Sequence, residues 1–445
     1  MPKLKVMIDG YNLALEKGTG ISTYARNLSY CLSDLGYEVG VLYGRPGSSR
    51  SSPLFREVAF FDTPEAEVSW LPRPLRVIAD ALSPSFRFHG FQVPTTGAVI
   101  TDNFAARLPH FDSLWNSPHL FRRAHTAFGL FPTLRKVSTD FRPVVMHWTY
   151  PLPLRMPGAK NIYTMHDLVP LRLPFTTLDD KRYYLRLCSR IAQSADHIVT
   201  VSESSRKDII NLLGVPPDRV SNTYESVRIP PEYRDKPLED VACEVDGVFG
   251  LKLRGYFLFF GAIEPKKNLG RLIEAYLGSG VKSPLVIVGP NAWESGRAIR
   301  LPYEENIRSI LLKGAHMPDG REIIRIEYVA FPVLVNLIRC AKATLFPSLY
   351  EGFGLPVLES MMLGTPVISS NVSSIPEIAG KAAYLVDPYD TVEIANAIRE
   401  VDTNQSLLFE FAKLGIAQAR RFDSEAYQIR LRDVYHRLTD AGSGA

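Results

Sequence analysis

Apolar residues fall along this chain in short unbroken runs, separated by stretches of helical spacing. Residues 4–9 (LKVMID) form the first run, ending in a polar residue, as a parallel strand covered on both faces should. A glycine-bearing loop from Gly10 to Gly20 follows. Ile21, Tyr24, Ala25, Leu28 and Leu32 then recur at helical spacing, Gly36 closes the helix, and residues 38–43 give a second strand. Runs at 144–148 and 161–165, a long helical pattern over 178–195, a strand at 196–201 and a helix over 203–213 capped by Ser202 continue the alternation. The same order restarts with predicted strands at 256–261, 285–288, 323–328 and 343–346 and helices at 271–276 and 331–341. The pattern predicts two α/β units, 1–226 and 251–423. A Pro- and charge-rich connection at 227–250 joins them, and an amphipathic helical segment and tail at 424–445 follow.

Residues 65–136 break the alternation. Trp70, Pro72, Pro74, Phe86, Phe88, Phe91, Phe104, Phe111, Trp115, Phe121, Phe128 and Phe131 crowd this insert. Between Trp70 and Lys136 there are eight basic residues against three acidic ones, an excess of +5 that could alone supply the whole chain's net charge of +4. Interleaved aromatics and arginines suit either a subdomain core on the acceptor side or a membrane interface. Elsewhere the charge is too small to indicate nucleic acid, and no apolar run is long enough for a membrane-spanning helix. The start, MPKLKVMIDG, enters a strand directly and has too short an apolar run for a signal peptide. Cys31, Cys188, Cys243 and Cys340 lie far apart, so buried thiols in a reducing cytoplasm are expected.

The densest chemistry lies at 346–369 (FPSLYEGFGLPVLESMMLGTPVIS). Pro347 stops a strand, Gly352 and Gly354 open a loop, Pro356 suits a first helical turn, and Gly364 with Thr365-Pro366 ends the helix. Such a loop presents unpaired backbone N–H groups at a helix N-terminus, which suits anionic or hydroxyl-rich ligands. Two carboxylates mark it, Glu351 in the loop and Glu359 eight residues on, neither required by folding. The first loop is Rossmann-like, but after Gly18 and Gly20 the third glycine position is Thr23, which favours a phosphate contact through the Gly20 amide over dinucleotide binding. Lys266 and Lys267 follow a strand in a loop, where ammonium groups can neutralise a departing diphosphate. His147 and His166 stand at carboxyl ends of strands, where ligands of α/β sheets bind.

The Glu351-x7-Glu359 stretch resembles the signature of retaining glycosyltransferases of family 4. His166-Asp167 before Leu-Val-Pro, the 261–270 loop and the 196–202 segment resemble the same family, most closely its bacterial mannosyltransferases of polysaccharide assembly. The resemblance implies the GT-B fold: two Rossmann-like domains facing across a cleft, with the C-terminal helix packing back on the first. It implies that Glu351 and the amides of Gly352, Phe353, Gly354 and Leu355 hold the donor sugar. Glu359 would hold the ribose, Lys267 the diphosphate and His166 the far side of the sugar, while His147 is structural. Many members carry Arg where this chain has Ala262, which leaves Lys266 as the candidate second cation; Glu327 stands where Gly is frequent near the base. The implied reaction moves a hexose, mannose first, from GDP-mannose (UDP-hexose second) to a hydroxyl of a glycan or polyprenyl-diphosphate-linked acceptor. It would take place in the cytoplasm, with a peripheral contact at the inner membrane face. Asp179-Asp180 lacks an Asp-x-Asp form, so no metal is expected. Glycoside hydrolysis by the two carboxylates needs no diphosphate cation. A sugar-nucleotide epimerase and a silent sugar-nucleotide-binding protein are the competing readings.

Overall fold

A computed structural model describes residues 3–14, 20–62, 87–100, 108–290, 310, 313–316 and 322–440. Gly18, Trp70, Phe86, Phe104 and the arginines 73, 76 and 107 lie outside the described residues. The first sheet comprises β1 (Lys5–Asp9), β2 (Glu38–Tyr43), β3 (Arg87–Val93), β4 (Ser113–Asn116), β5 (Arg135–Thr139), β6 (Val145–Trp148), β7 (Leu154–Arg155), β8 (Lys160–Thr164), β9 (His197–Thr200) and β10 (Val220–Asn222). Their order is β10-β9-β8-β6-β1-β2-β4-β3-β5-β7, parallel except where β3 meets β4. The second sheet comprises β11 (Phe257–Phe260), β12 (Leu285–Val288), β13 (Ala315–His316), β14 (Glu322–Ile326), β15 (Ala343–Phe346), β16 (Val367–Ser370) and β17 (Tyr384–Val386). Its order is β13-β14-β12-β11-β15-β16-β17, with only β13 antiparallel among the described pairs.

Strand order reverses between β1 and β6 in one sheet and between β11 and β15 in the other. Ligands of doubly wound sheets bind at such switch points, outside the carboxyl ends of the strands. The continuous apolar runs are fully covered, as in LFF of β11 and LVIV of β12. These strands carry no polar alternation because both faces are packed by helices.

The described part of the 65–136 insert follows the core reading, and the 227–250 connection proves to be more than a linker. The insert's described strands β3, β4 and β5 extend the first sheet, and Phe88, Trp115, Phe121 and Phe128 are buried in its core. The strands escaped the hydrophobic pattern because β3 alternates exposed and buried positions and β4 has only 4 residues. Phe131 alone of these described aromatics is largely exposed. The 227–250 connection, in turn, holds the helix Leu238–Phe249, whose Val241 and Val245 are buried against the helix Phe331–Cys340. Of the cysteines, Cys31, Cys188 and Cys340 are buried, but Cys243 on that helix is exposed.

The helix Ser424–Asp440 crosses back to the first domain. Tyr427, Leu431, Val434 and Tyr435 are buried there, each contributing roughly 1.5–3 kcal/mol of burial. The Tyr435 hydroxyl bonds His147 Nδ1 at 2.7 Å, and Gln428 reaches Asp34 at 3.1 Å. The two domains therefore share one buried seam. No described helix is long and apolar enough to cross a membrane.

Candidate active site

The lysine loop and the glutamate loop are tied into one surface. Pro265–Lys267 forms a single helical turn ended by Asn268, whose φ is +59°. The buried Asn268 amide donates to the carbonyls of Pro347 (2.9 Å) and Pro388 (2.7 Å), and Leu349 N–H donates to the Lys266 carbonyl at 2.8 Å. From the other side, Ser373 Oγ accepts from Glu351 N–H at 2.9 Å, while Ser374 Oγ donates to the Glu351 and Phe353 carbonyls. Gly354 starts the helix Leu355–Met362 with φ +105°, a backbone that L side chains rarely adopt.

This scaffold brings Lys267 Nζ to 2.6 Å from Glu351 Oε1, both nearly buried. Burial pushes the Glu351 carboxyl up, but the ammonium groups of Lys267 and Lys266 outweigh it and hold the group below the usual carboxylate range. Burial likewise opposes the charge on Lys266, but Asp167, Glu351 and Glu264 keep its amine firmly protonated. Glu359 has no such compensation. Burial pushes its carboxyl up to about 7, with only Lys267 pulling the other way.

Gly20 begins the helix Gly20–Asp34, and a Cβ built on it would lie 3.1 Å from Leu355 Cδ1. The first residues of two helices thus meet across the cleft, so two positive helix ends converge there. Gly352 closes the same gap from the second domain. A side chain there would meet Asp167 Oδ2 at 2.9 Å and the His166 carbonyl at 3.0 Å. Phe353 packs its ring between Tyr224 and Phe422, so only its backbone is available to a ligand.

His166 lies at the end of β8. Its Nε2 is 3.0 Å from the Thr149 carbonyl and its Nδ1 is 3.0 Å from Glu225 Oε1. A carbonyl and a carboxylate both accept, so these contacts favour donation by both ring nitrogens, the imidazolium form. Burial opposes that charge, but the Glu225 hydrogen bond and charge, with Thr149 and Asp167, raise its pKa above the ordinary value. His147 is the opposite case. It is fully buried between Tyr435 and Thr164, and burial pushes its pKa down to about 3, so it is a neutral structural residue as expected.

Several residues escaped the sequence reasoning. Asp9 ends β1, accepts from the Tyr11 and Thr149 amides, and is pushed up to about 6 by burial. Glu377 accepts from the Glu203 and Ser204 amides, both at 3.0 Å, and from the Tyr224 hydroxyl at 3.2 Å. It caps a first-domain helix from the second domain. Asn268 was visible within the 261–270 loop, and Ser202 as the cap that Glu377 reinforces. Glu225 and Glu377 had no local signal. Glu327, by contrast, is exposed in the turn after β14.

Comparison with known proteins places this geometry in a family. Residues 251–420 match the model of glycosyl transferases group 1, and residues 93–225 match that of Glycosyltransferase Family 4. The O-antigen chain mannosyltransferase B of Escherichia coli is 32% identical over 306 residues, covering 67% of this chain and 76% of that protein. The chain is a family 4 glycosyltransferase. The MMP alpha-(1->4)-mannosyltransferase of Mycolicibacterium hassiacum is 24% identical to this glycosyltransferase, over 87% of each chain. The serotype-specific mannosyltransferase WbdA of Escherichia coli is 27% identical over 66% of this chain but only 35% of that longer protein. Among solved structures, sucrose-phosphate synthase of Thermosynechococcus elongatus superposes with a TM-score of 0.65 at 16% identity, covering 99% of this chain and 100% of that one. WaaG, a glycosyltransferase of lipopolysaccharide biosynthesis, gives 0.56 at 15% identity over 96% and 99%. These likenesses bear on fold alone: the glycosyltransferase has the GT-B architecture.

Proposed function

We propose that the enzyme transfers mannose from GDP-mannose, with retention at the anomeric carbon, to a hydroxyl of a glycan or lipid-linked glycan in cell-surface polysaccharide assembly. The observation that carries this reading is the Lys267–Glu351 pair at the loop leading into one of the two helix N-termini that meet. The names of the relatives, O-antigen and other mannosyltransferases, support the choice of sugar. As the anomeric C–O bond breaks, positive charge grows on the sugar ring and negative charge on the diphosphate. Lys267, Lys266 and the Gly20 amide stabilise the leaving group more in the transition state than in the ground state. Lys266 takes the part of the cation missing at Ala262. Glu351 and the Gly352–Leu355 amides orient the sugar hydroxyls, and Glu359 accepts from the ribose. The acceptor oxygen forms the new bond to the anomeric carbon, and its proton passes to the departing phosphate oxygen. His166 adds positive charge at the sugar's far side; for it to donate to a hydroxyl, Nε2 must leave the Thr149 carbonyl.

The test is a donor panel led by GDP-mannose and UDP-hexoses, with the product anomer read by NMR and the panel repeated with Glu351→Gln. Turnover of GDP-mannose with retention, undiminished by EDTA and at least about 100-fold slower in the variant, is expected. Normal turnover by Glu351→Gln, or an inverted product, would overturn the assignment. Donor epimerised without any acceptor would favour an epimerase instead.

A further inference from the structure

The acceptor side of the cleft carries a feature that the donor chemistry does not use. Tyr11 follows β1, Tyr150 follows β6, His125 lies on the helix Leu120–Leu130, and Tyr183 lies on the helix Lys181–Ser194. The rings form a continuous wall. Tyr11 and Tyr150 stack with centroids 6.1 Å apart at 26°, Tyr11 and His125 lie 5.9 Å apart, and His125 Nδ1 bonds the Tyr183 hydroxyl at 2.6 Å. Asp167, which Gly352 abuts, acts electrostatically on both Lys266 and Tyr150.

On the wall itself, the buried His125 Nε2 has no partner. An unpaired buried polar atom is costly, so such a group points to a ligand that supplies hydroxyls. Acidic groups predominate among the charges that act on the tyrosine rings, which disfavours phosphate there. The carboxylates of Asp9 and Asp167 act on Tyr11 and Tyr150, Asp179 also acts on Tyr150, and Arg186 near Tyr183 is the opposing charge at the wall's far end. Burial pushes His125 down to about 4, so that ring is neutral. Electron-rich ring faces with scattered hydrogen-bonding atoms suit the polarised C–H face and the hydroxyls of a sugar.

We infer that the wall formed by Tyr11, Tyr150, His125 and Tyr183 seats a neutral pyranose ring, the terminal sugar of the acceptor, and that an acceptor's diphosphate lies elsewhere. This rests on the glycosyl-transfer reading above. It makes the acceptor a growing saccharide, so a separate transferase class must supply the first sugar on any lipid diphosphate.

Saturation-transfer NMR tests it. With the full-length enzyme holding GDP, and separately UDP, aromatic protons are irradiated in the presence of methyl α-D-mannopyranoside or farnesyl diphosphate. Saturation should reach the ring protons of the pyranoside. Tyr11→Ala and Tyr150→Ala should each cut it by a factor of about 2 to 10, Tyr→Phe at either position should retain it, and saturation of the bound nucleotide should be unchanged throughout. Equal pyranoside saturation in wild type and alanine variants would overturn the inference. So would a pyranoside that receives none in wild type, or transfer to farnesyl diphosphate that the same variants abolish. If neither nucleotide is saturated in wild type, the donor reading fails instead, which is a separate outcome.

Discussion

Glu359 is expected to cost the apoenzyme stability above neutral pH and to make nucleotide binding proton-linked. Burial raises its carboxyl from an ordinary 4.5 to about 7. Between those values the folded state holds a proton that the unfolded chain has lost, so stability falls as pH rises through this window and stays low above it. A shift of this size corresponds to about 3 kcal/mol as an upper figure, and the side chain's partial opening to solvent reduces it to roughly 1–3 kcal/mol. Glu359→Gln removes the penalty. At pH 8 the Tm of the variant should exceed wild type by about 2–4 °C per kcal/mol for a domain of this size, and at pH 4 the two should coincide. Binding runs the other way. A carboxylate accepting two ribose hydroxyls must be ionised, yet at pH 6 about nine-tenths of the free enzyme carries the proton. GDP binding should therefore release up to one proton at pH 6 and none at pH 8, with affinity roughly tenfold weaker at pH 6. Calorimetry in two buffers of different ionisation enthalpy reads that proton directly. The variant should release none and bind GDP about 10- to 100-fold more weakly at pH 8. Equal melting profiles across pH, or wild-type affinity in the variant, would refute the assignment of Glu359 to the ribose.

Lys267→Met leaves Glu351 buried with its nearest cation removed, and should destabilise the protein by about 3–5 kcal/mol in chemical denaturation. Adding Glu351→Gln should restore most of that stability but no transfer activity. Glu225→Gln should lower the His166 pKa, read by NMR of the ring protons. Because the native pKa is raised, the stability contributed by the pair is full below about 6.5 and is lost as pH rises through the folded value. The variant should lack that slope, and an unchanged His166 titration would remove Glu225 from the account. Glu377→Ala removes the acceptor that reinforces the Ser202 cap on the helix Glu203–Leu213 and should cost about 1 kcal/mol. It should also loosen the cleft, seen as a larger radius of gyration by small-angle scattering, whereas an unchanged radius would leave the carboxylate a cap only.

What could be read from the chain alone was whatever depends on residues near one another in sequence. The strand Ala343–Phe346 and the helix Glu203–Leu213 with its Ser202 cap were predicted to the residue, because an apolar run or a cap signals its own boundary. The loop from Glu351 to Leu355 was equally legible, since its glycines and Pro356 report backbone needs at their own positions. Its link to Lys267 was readable only through resemblance, as 84 residues separate the two partners. Glu225, Glu377 and the tyrosine wall were not legible by either route. Each acts on a partner contributed by another part of the chain: His166 is 59 residues from Glu225, and Glu203 is 174 residues from Glu377. An isolated carboxylate in a connecting segment looks solvated until the fold places a buried histidine against it. The same limit explains the insert, where composition left a core and a membrane interface both open and the fold packs the described aromatics into the core around β3, β4 and β5. The proposed donor half of the site is therefore a property of local sequence, while the raised pKa of His166 and the contacts across the cleft are properties of the assembled domains. Variants at Glu225 and Glu377 probe that second layer without touching the loop proposed to hold the sugar.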